Sequence, residues 1–206
     1  KKHTMSRSRK PCAIYHEHPT WFQPLFAELN KRSIDYVHLD ASRHHYDVAT
    51  TYYPYSLFVN RMSPSAYLRG HGNGLFYTLG LLEHYEKRGL RVINGLTAFS
   101  YEINKARQLE LLASLQLPYP QTHVINHPSL VLAAAKNLRF PIVIKANIGG
   151  SAAGIVRYDT LESLQHALEQ DSIQLGIDST ALVQEYIPAR NGHITRVETL
   201  GGKYLY

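Results

Sequence analysis

The stretch Phe140–Tyr158, FPIVIKANIGGSAAGIVRY, places a single lysine at the end of one apolar run, then a loop of small residues, then a second apolar run. Alternation along Pro141–Ala146 puts Ile142 and Ile144 on one face of a strand, with Val143 and Lys145 on the other. A lysine emerging there either snorkels to solvent or is held for an anion. The loop behind it, Gly149, Gly150, Ser151, Ala152, Ala153 and Gly154, leaves backbone N–H groups unobstructed for a close-approaching phosphate chain. Two apolar runs joined directly across so short a loop predict an antiparallel hairpin. The loop leads into a strand and lacks the Gly-Lys-Ser/Thr ending, which excludes a Walker A loop.

Working outward, the second half reads as THVIN (strand), SLVLAAAKNL (helix), the hairpin itself, TLESLQHALEQ (helix) and ALVQEYI (strand), an α+β pattern. Asp159 followed by Glu162 has capping-box spacing for the second of those helices. Upstream, SYEINKARQLELLASLQL predicts one long helix with Ile103, Ala106, Leu109, Leu112 and Leu115 inward, stopped by Pro118. The first half alternates differently. CAIYHEH, IDYVHLD, SLFVNRM and LRVING read as strands, separated by TWFQPLFAELNKR and NGLFYTLGLLEHYEKRG as amphipathic helices, the latter ended by Gly89. Such alternation predicts a small parallel α/β unit over residues 11–97, with a second unit over 98–206. HITRVETLGGKYLY ends the chain as a strand, a Gly201–Gly202 hairpin turn and a short return, as though cut within a sheet.

The totals bound the function. At 206 residues, with 44% hydrophobic and 18% charged content, the chain can bury a real core. No apolar run is long enough for a membrane span or a signal peptide, so a cytoplasmic location and no membrane partner are expected. The net charge of +6 comes largely from Lys1, Lys2, Arg7, Arg9 and Lys10; without them 17 basic residues face 16 acidic ones. That distribution argues for a disordered tail, with Met5 as a natural start, rather than a nucleic-acid partner. Cys12 is the only cysteine, so no internal disulfide forms; it is expected as a buried, inert thiol. His16, Glu17 and His18, with His44 and His45, lack the spacing of a zinc site and are expected as loop histidines.

At LVQEYIPARNGHITRVETLGG, a strand ends in Gln184, Glu185, Tyr186 and Ile187, where backbone groups could bond a planar base between apolar side chains. In order, the chain carries a helix lysine (Lys105), a VIK strand about forty residues on, a small-residue loop, and VQEYI followed by an arginine and GG. This ordered set resembles the nucleotide site of the ATP-grasp superfamily, in its carboxylate–amine ligase branch of RimK-like, glutamate-ligase type. The resemblance implies a Rossmann-like pre-ATP-grasp α/β domain over 11–97. It implies an α+β nucleotide-binding (lid) subdomain over 98–206, with the start of an incomplete C-terminal subdomain.

It further implies Lys105 and Lys145 as partners of the ATP phosphates, Gly149–Gly154 as a lid, and Gln184, Glu185, Tyr186 and Ile187 as the adenine hinge, chiefly through backbone. Arg196 is implied near the transferred phosphate as a catalytic residue. Mg²⁺ is implied with ligands beyond Tyr206. The partners would be a carboxylate substrate and an amine acceptor, small molecule or peptide, and a homo-oligomer is left open. The family's Asp two residues before that arginine is Ile194 here, which leaves ribose to Glu185 or His193 and keeps a non-catalytic nucleotide-binding or scaffold module as the alternative. Arg61 and Arg69, in the loop NRMSPSAYLRGHGNG after a strand, are the candidates for carboxylate contact, against a solvated basic loop.

Overall fold

A computed structural model describes residues 10–150 and 152–205. The basic tail through Arg9, and Ser151 of the loop, therefore lie outside the described residues.

The first half is a parallel sheet, as the alternation of its elements requires. Strand β1 (Cys12–His16) lies centrally between β2 (Tyr36–Asp40) and β3 (Leu57–Asn60), and β4 (Val92–Ile93) adds to β3, giving the order β2-β1-β3-β4. All three pairings are parallel. Helix α1 (Gln23–Lys31) joins β1 to β2, and α2 (Asn73–Lys87) precedes β4. A six-residue 3₁₀ turn, Pro64–Arg69, follows β3; Ser63 caps it by accepting the N–H of Ser65. Gly89, at φ 75°, ends α2 in the left-handed conformation that a side chain would strain.

The predicted long helix is two helices. Helix α3 (Leu96–Glu102) ends at Ile103, and α4 (Lys105–Ser114) starts afresh after Asn104, whose side chain accepts the N–H of Arg107 as an N-cap. Ile103 stays inward in the first core, whereas Leu115 is mostly exposed. The apolar spacing runs straight through the break, so periodicity alone could not reveal it.

The second half is a mixed α+β unit. Its antiparallel sheet has the order β5 (Thr122–Ile125), β8 (Ala181–Glu185), β6 (Ile142–Ala146), β7 (Ile155–Tyr158). The hairpin β6–β7 pairs Ile142 with Tyr158 and Lys145 with Ile155, as expected. Helices α5 (Val131–Ala135) and α6 (Leu161–Glu169) pack on its apolar face with Ile142, Ile144 and Val183. The N-cap of α6 is Thr160, which bonds the N–H of Ser163 and receives Ser163 in return; Asp159 instead pairs with Arg157. The capping box exists, one residue later than its acidic spacing suggested. Strands β9 (Thr199–Leu200) and β10 (Lys203–Tyr204) form a separate ribbon. Gly201 and Gly202, both at positive φ, make its turn.

Two contacts tie the halves together. Ile148, after β6, is buried in the first core rather than the second. That core also takes Phe99 and Ile103, so packing carries the first unit past residue 97. Among the described residues no helix is long and apolar enough to cross a membrane.

Candidate functional site

Lys145 occupies the face of β6 opposite Ile142 and Ile144, as the alternation demands. It is half-buried, and its Nζ donates to Gln184 Oε1 at 2.7 Å. Gln184 sits on the same face of β8, and its Nε2 donates to Thr122 Oγ1 at 2.7 Å on β5. Three adjacent strands thus contribute one polar side chain each to a single line. The Gln184 amide, 6% exposed, is thus engaged by the lysine, which leaves the backbone of this segment as its other polar resource.

Lys105 reaches the same place from the first turn of α4. Its Nζ donates to the carbonyl of Gly149 at 2.9 Å and of Asn147 at 3.3 Å. Lys105 and Lys145 line one cavity of about 200 Å³ with Ala146, Gly149, Gly150, Ala152, Ala153 and Ile155. Burial holds both ammonium groups below the ordinary lysine range; the charge of Lys145 depresses Lys105 further, and Asp178 opposes the effect. Two like charges sharing a half-buried cleft are costly unless an anion joins them. The N-terminus of α4 is not an added anion site, because Asn147 and Asn104 already accept the N–H groups of Lys105, Ala106 and Arg107.

The small-residue loop is anchored at its start. A Cβ on Gly150 would lie 3.3 Å from that of Ser65, and one on Gly149 would lie 3.5 Å from the Tyr67 hydroxyl. The loop therefore leans on the 3₁₀ turn of the first unit, most tightly at Gly150, where a side chain would have to displace Ser65 slightly. Gly154 completes the turn at φ 70°.

At the hinge, Glu185 N–H donates to Gln121 O, and Tyr186 N–H to Pro141 O. Among the described residues, Ile187 N–H has no such partner. Arg157 lies over the Tyr186 ring, 4.6 Å from its centroid. The Glu185 carboxylate accepts the Arg139 N–H on Oε1 at 2.8 Å, with Oε2 3.6 Å from the Arg139 guanidinium. His193 and Arg196 are exposed, in the segment before β9, and Arg196 forms no ion pair among the described residues.

The two candidate substrate arginines part company. Arg69 is paired within the chain: its Nε donates to Glu17 Oε2 at 2.9 Å and its Nη2 to Glu17 Oε1, so two of its donors meet a buried carboxylate. Arg61 is exposed above Phe22 and lines a cavity of about 120 Å³ with Glu102, whose carboxyl is raised by burial. Among the described residues no group of three or more His, Cys, Asp or Glu side chains gathers for a metal ion. His16 is no loop histidine: it closes β1 at 5% exposure, stacked on His38. Cys12 is only half-buried.

Sequence reasoning missed Asn147 and Asp178. Asn147, 2% exposed, accepts the Ala106 N–H on Oδ1 and donates to Asp178 Oδ2 at 2.7 Å. A polar residue wedged between the strand lysine and Ile148 was the available signal.

The description RimK-like ATP-grasp domain matches residues 102–204. A probable alpha-L-glutamate ligase of Saccharophagus degradans is 31% identical over 129 residues, which cover 62% of this chain and 42% of that protein. The chain thus spans about half the length, or less, of the curated relatives it matches. Among solved structures, a RimK domain ATP-grasp protein from Sphaerobacter thermophilus superposes with a TM-score of 0.66 at 17% identity, covering 87% of this chain and 65% of the other. D-alanyl-alanine synthetase A from Vibrio cholerae gives 0.62 at 14%, covering 96% and 69%.

Proposed function

The chain belongs to the RimK-like ATP-grasp family, and from that premise we propose that it binds ATP and serves an ATP-dependent carboxylate–amine ligase. The observation that carries this reading is the convergence of Lys105 and Lys145 on one small cleft walled by the small-residue loop. In this reaction class a carboxylate is phosphorylated by ATP and the resulting acyl phosphate is attacked by an amine. Carboxylate and phosphate are both anionic, so their oxygens meet only where fixed cations offset the repulsion.

In our reading Lys105 and Lys145 supply those cations, and Gln184 aims Lys145 along the sheet. Strand residues rise about 3.3 Å each, so the hinge at Tyr186–Ile187 lies roughly a nucleotide's length from Lys145. Ile187 N–H is the donor left for a base there. The loop from Gly149 to Gly154 would exclude water from the phosphates, hinging beyond its contact with Ser65. Arg61, exposed at the C-terminal end of β3, is the remaining candidate for the substrate carboxylate. Arg196 would have to swing in from its exposed segment to approach the transferred phosphate. ATP would enter as its Mg²⁺ complex, in the cytoplasm.

Titrating Mg-ATP into the intact protein tests the reading. Lys145→Ala is expected to weaken binding by at least about tenfold, the equivalent of one lost charge-assisted contact. Unchanged affinity in that variant would reject it.

A further inference from the structure

Helix α4, which carries Lys105, has no fully buried residue of its own. The core therefore does little to fix its first turn. Two asparagines fix it: Asn104 caps the Arg107 N–H, and Asn147 takes the two N–H groups before it. The Asn147 carbonyl accepts both the backbone N–H and the Nζ of Lys105, each at 3.3 Å, and its Oδ1 accepts the Ala106 N–H at 2.9 Å. Its own N–H donates to Thr180 O at 3.1 Å, and its Nδ2 to Asp178 Oδ2 at 2.7 Å.

We propose that Asn147 and Asp178 form a positioning clamp that sets Lys105 opposite Lys145, a role that rests on the nucleotide reading above. Strand β6 does not need the clamp. It is paired on both sides and packs Ile142 and Ile144 into the second core. The helix lysine does need it: the Asn147 amide bonds the first turn of α4, and the Asn147 carbonyl shares the Lys105 cation with that of Gly149. Asp178 fixes the amide from the far side and places a carboxylate where it counters the mutual repulsion of the lysines. Its loop is held close: a Cβ on Gly176 would lie 2.8 Å from Asp178 Oδ1. The Asn147 amide thereby sets the turn from which Lys105 projects, and Asp178 helps keep the lysine charged.

Mg-ATP affinity of the intact protein, measured calorimetrically in single and double variants, separates this role from a general structural one. Lys105→Ala is expected to weaken ATP binding by about tenfold or more. Asn147→Ala should cost about fivefold on its own but less than about twofold in the Lys105→Ala background, because residues that act through one another are not additive. Equal losses in both backgrounds would overturn the clamp while leaving the nucleotide reading standing. Unchanged affinity in Lys105→Ala would instead strike the reading beneath it. Should Asn147→Ala not fold, the charge exchange decides. Asn147→Asp alone sets two carboxylates against each other and should lose affinity. Adding Asp178→Asn restores a donor–acceptor pair and should bring affinity back to within about threefold of wild type. A folded double variant that stays as weak as Asn147→Asp overturns the proposal.

Discussion

Lys145 Nζ and Gln184 Oε1 lie 2.7 Å apart, so the cation of β6 is held by the amide of the neighbouring β8. The amide is neutral, which orients the lysine without cancelling its charge. Gln184→Glu should change that. The carboxylate would pair with Lys145, while the Thr122 hydroxyl, now 2.7 Å from Gln184 Nε2, would turn from Pro120 O to donate to it. Stability should fall by about 1 kcal/mol, the cost of the bond to Pro120. ATP affinity should fall roughly tenfold, because the paired cation has less to offer a phosphate. A thermal melt and an ATP titration on the same sample check both halves; wild-type affinity would remove Lys145 from the phosphate site.

Acid sensitivity should trace to His16. Burial pushes its pKa down from 6.5 to about 4, with the adjacent His38 adding to the effect. Neither ring nitrogen has a hydrogen-bond partner among the described residues. The unfolded chain therefore binds a proton between about pH 6.5 and 4 that the folded chain refuses. Stability from this group is complete above that window and declines as pH falls through it, by at most about 3 kcal/mol. His44 and His84 are also lowered by burial and add in the same direction. His16→Phe, which fits beside Phe22 and Phe26, should flatten part of the slope in urea melts at pH 7 and pH 5. A slope as steep as wild type would assign the acid limb elsewhere.

The start of α6 offers a clean comparison of adjacent residues. Thr160 makes both bonds of the capping box, whereas Asp159 is mostly exposed and pairs with Arg157 on the surface. Thr160→Ala should cost about 1 kcal/mol and Asp159→Ala only a few tenths. Chemical denaturation of both variants ranks them; the reverse order would return the cap to Asp159.

These cases show what the chain discloses in one dimension. Alternation around Lys145 fixes its face, and the short glycine-rich link fixes the β6–β7 hairpin, because both are local. The parallel sheet follows from alternation of elements, again a local signal. The break at Asn104 is hidden, since Ile103 and Ala106 continue a helical spacing across it and only the side-chain cap marks the restart. The Glu17–Arg69 pair and the Asn147–Asp178 bond span 52 and 31 residues, so nothing nearby in the sequence announces them. Ile148, just ahead of the glycines, is seated in the first core, a contact that no local pattern marks. The lysines of the candidate site were therefore legible, and the groups that hold them were not.

Arg69 is best tested as half of a buried pair. The Glu17 side chain is 1% exposed and receives two of the guanidinium's donors, while Ser65 Oγ lies 3.3 Å from Nη1 and Nη2. Arg69→Ala strands a carboxylate away from water and should cost about 3 kcal/mol. Replacing both partners with apolar residues, Glu17→Leu with Arg69→Met, should recover most of that loss. A substrate-contacting arginine would behave otherwise, because the double variant would be stable yet its affinity for the carboxylate would collapse. Urea melts of the single and double variants come first. Ligase assays across candidate acids then compare the double variant with Arg61→Ala, which should lose apparent carboxylate affinity with little change in stability. If the stable double variant, rather than Arg61→Ala, loses carboxylate affinity, Arg69 regains the substrate role and its bond to Glu17 becomes the resting state of a clamp.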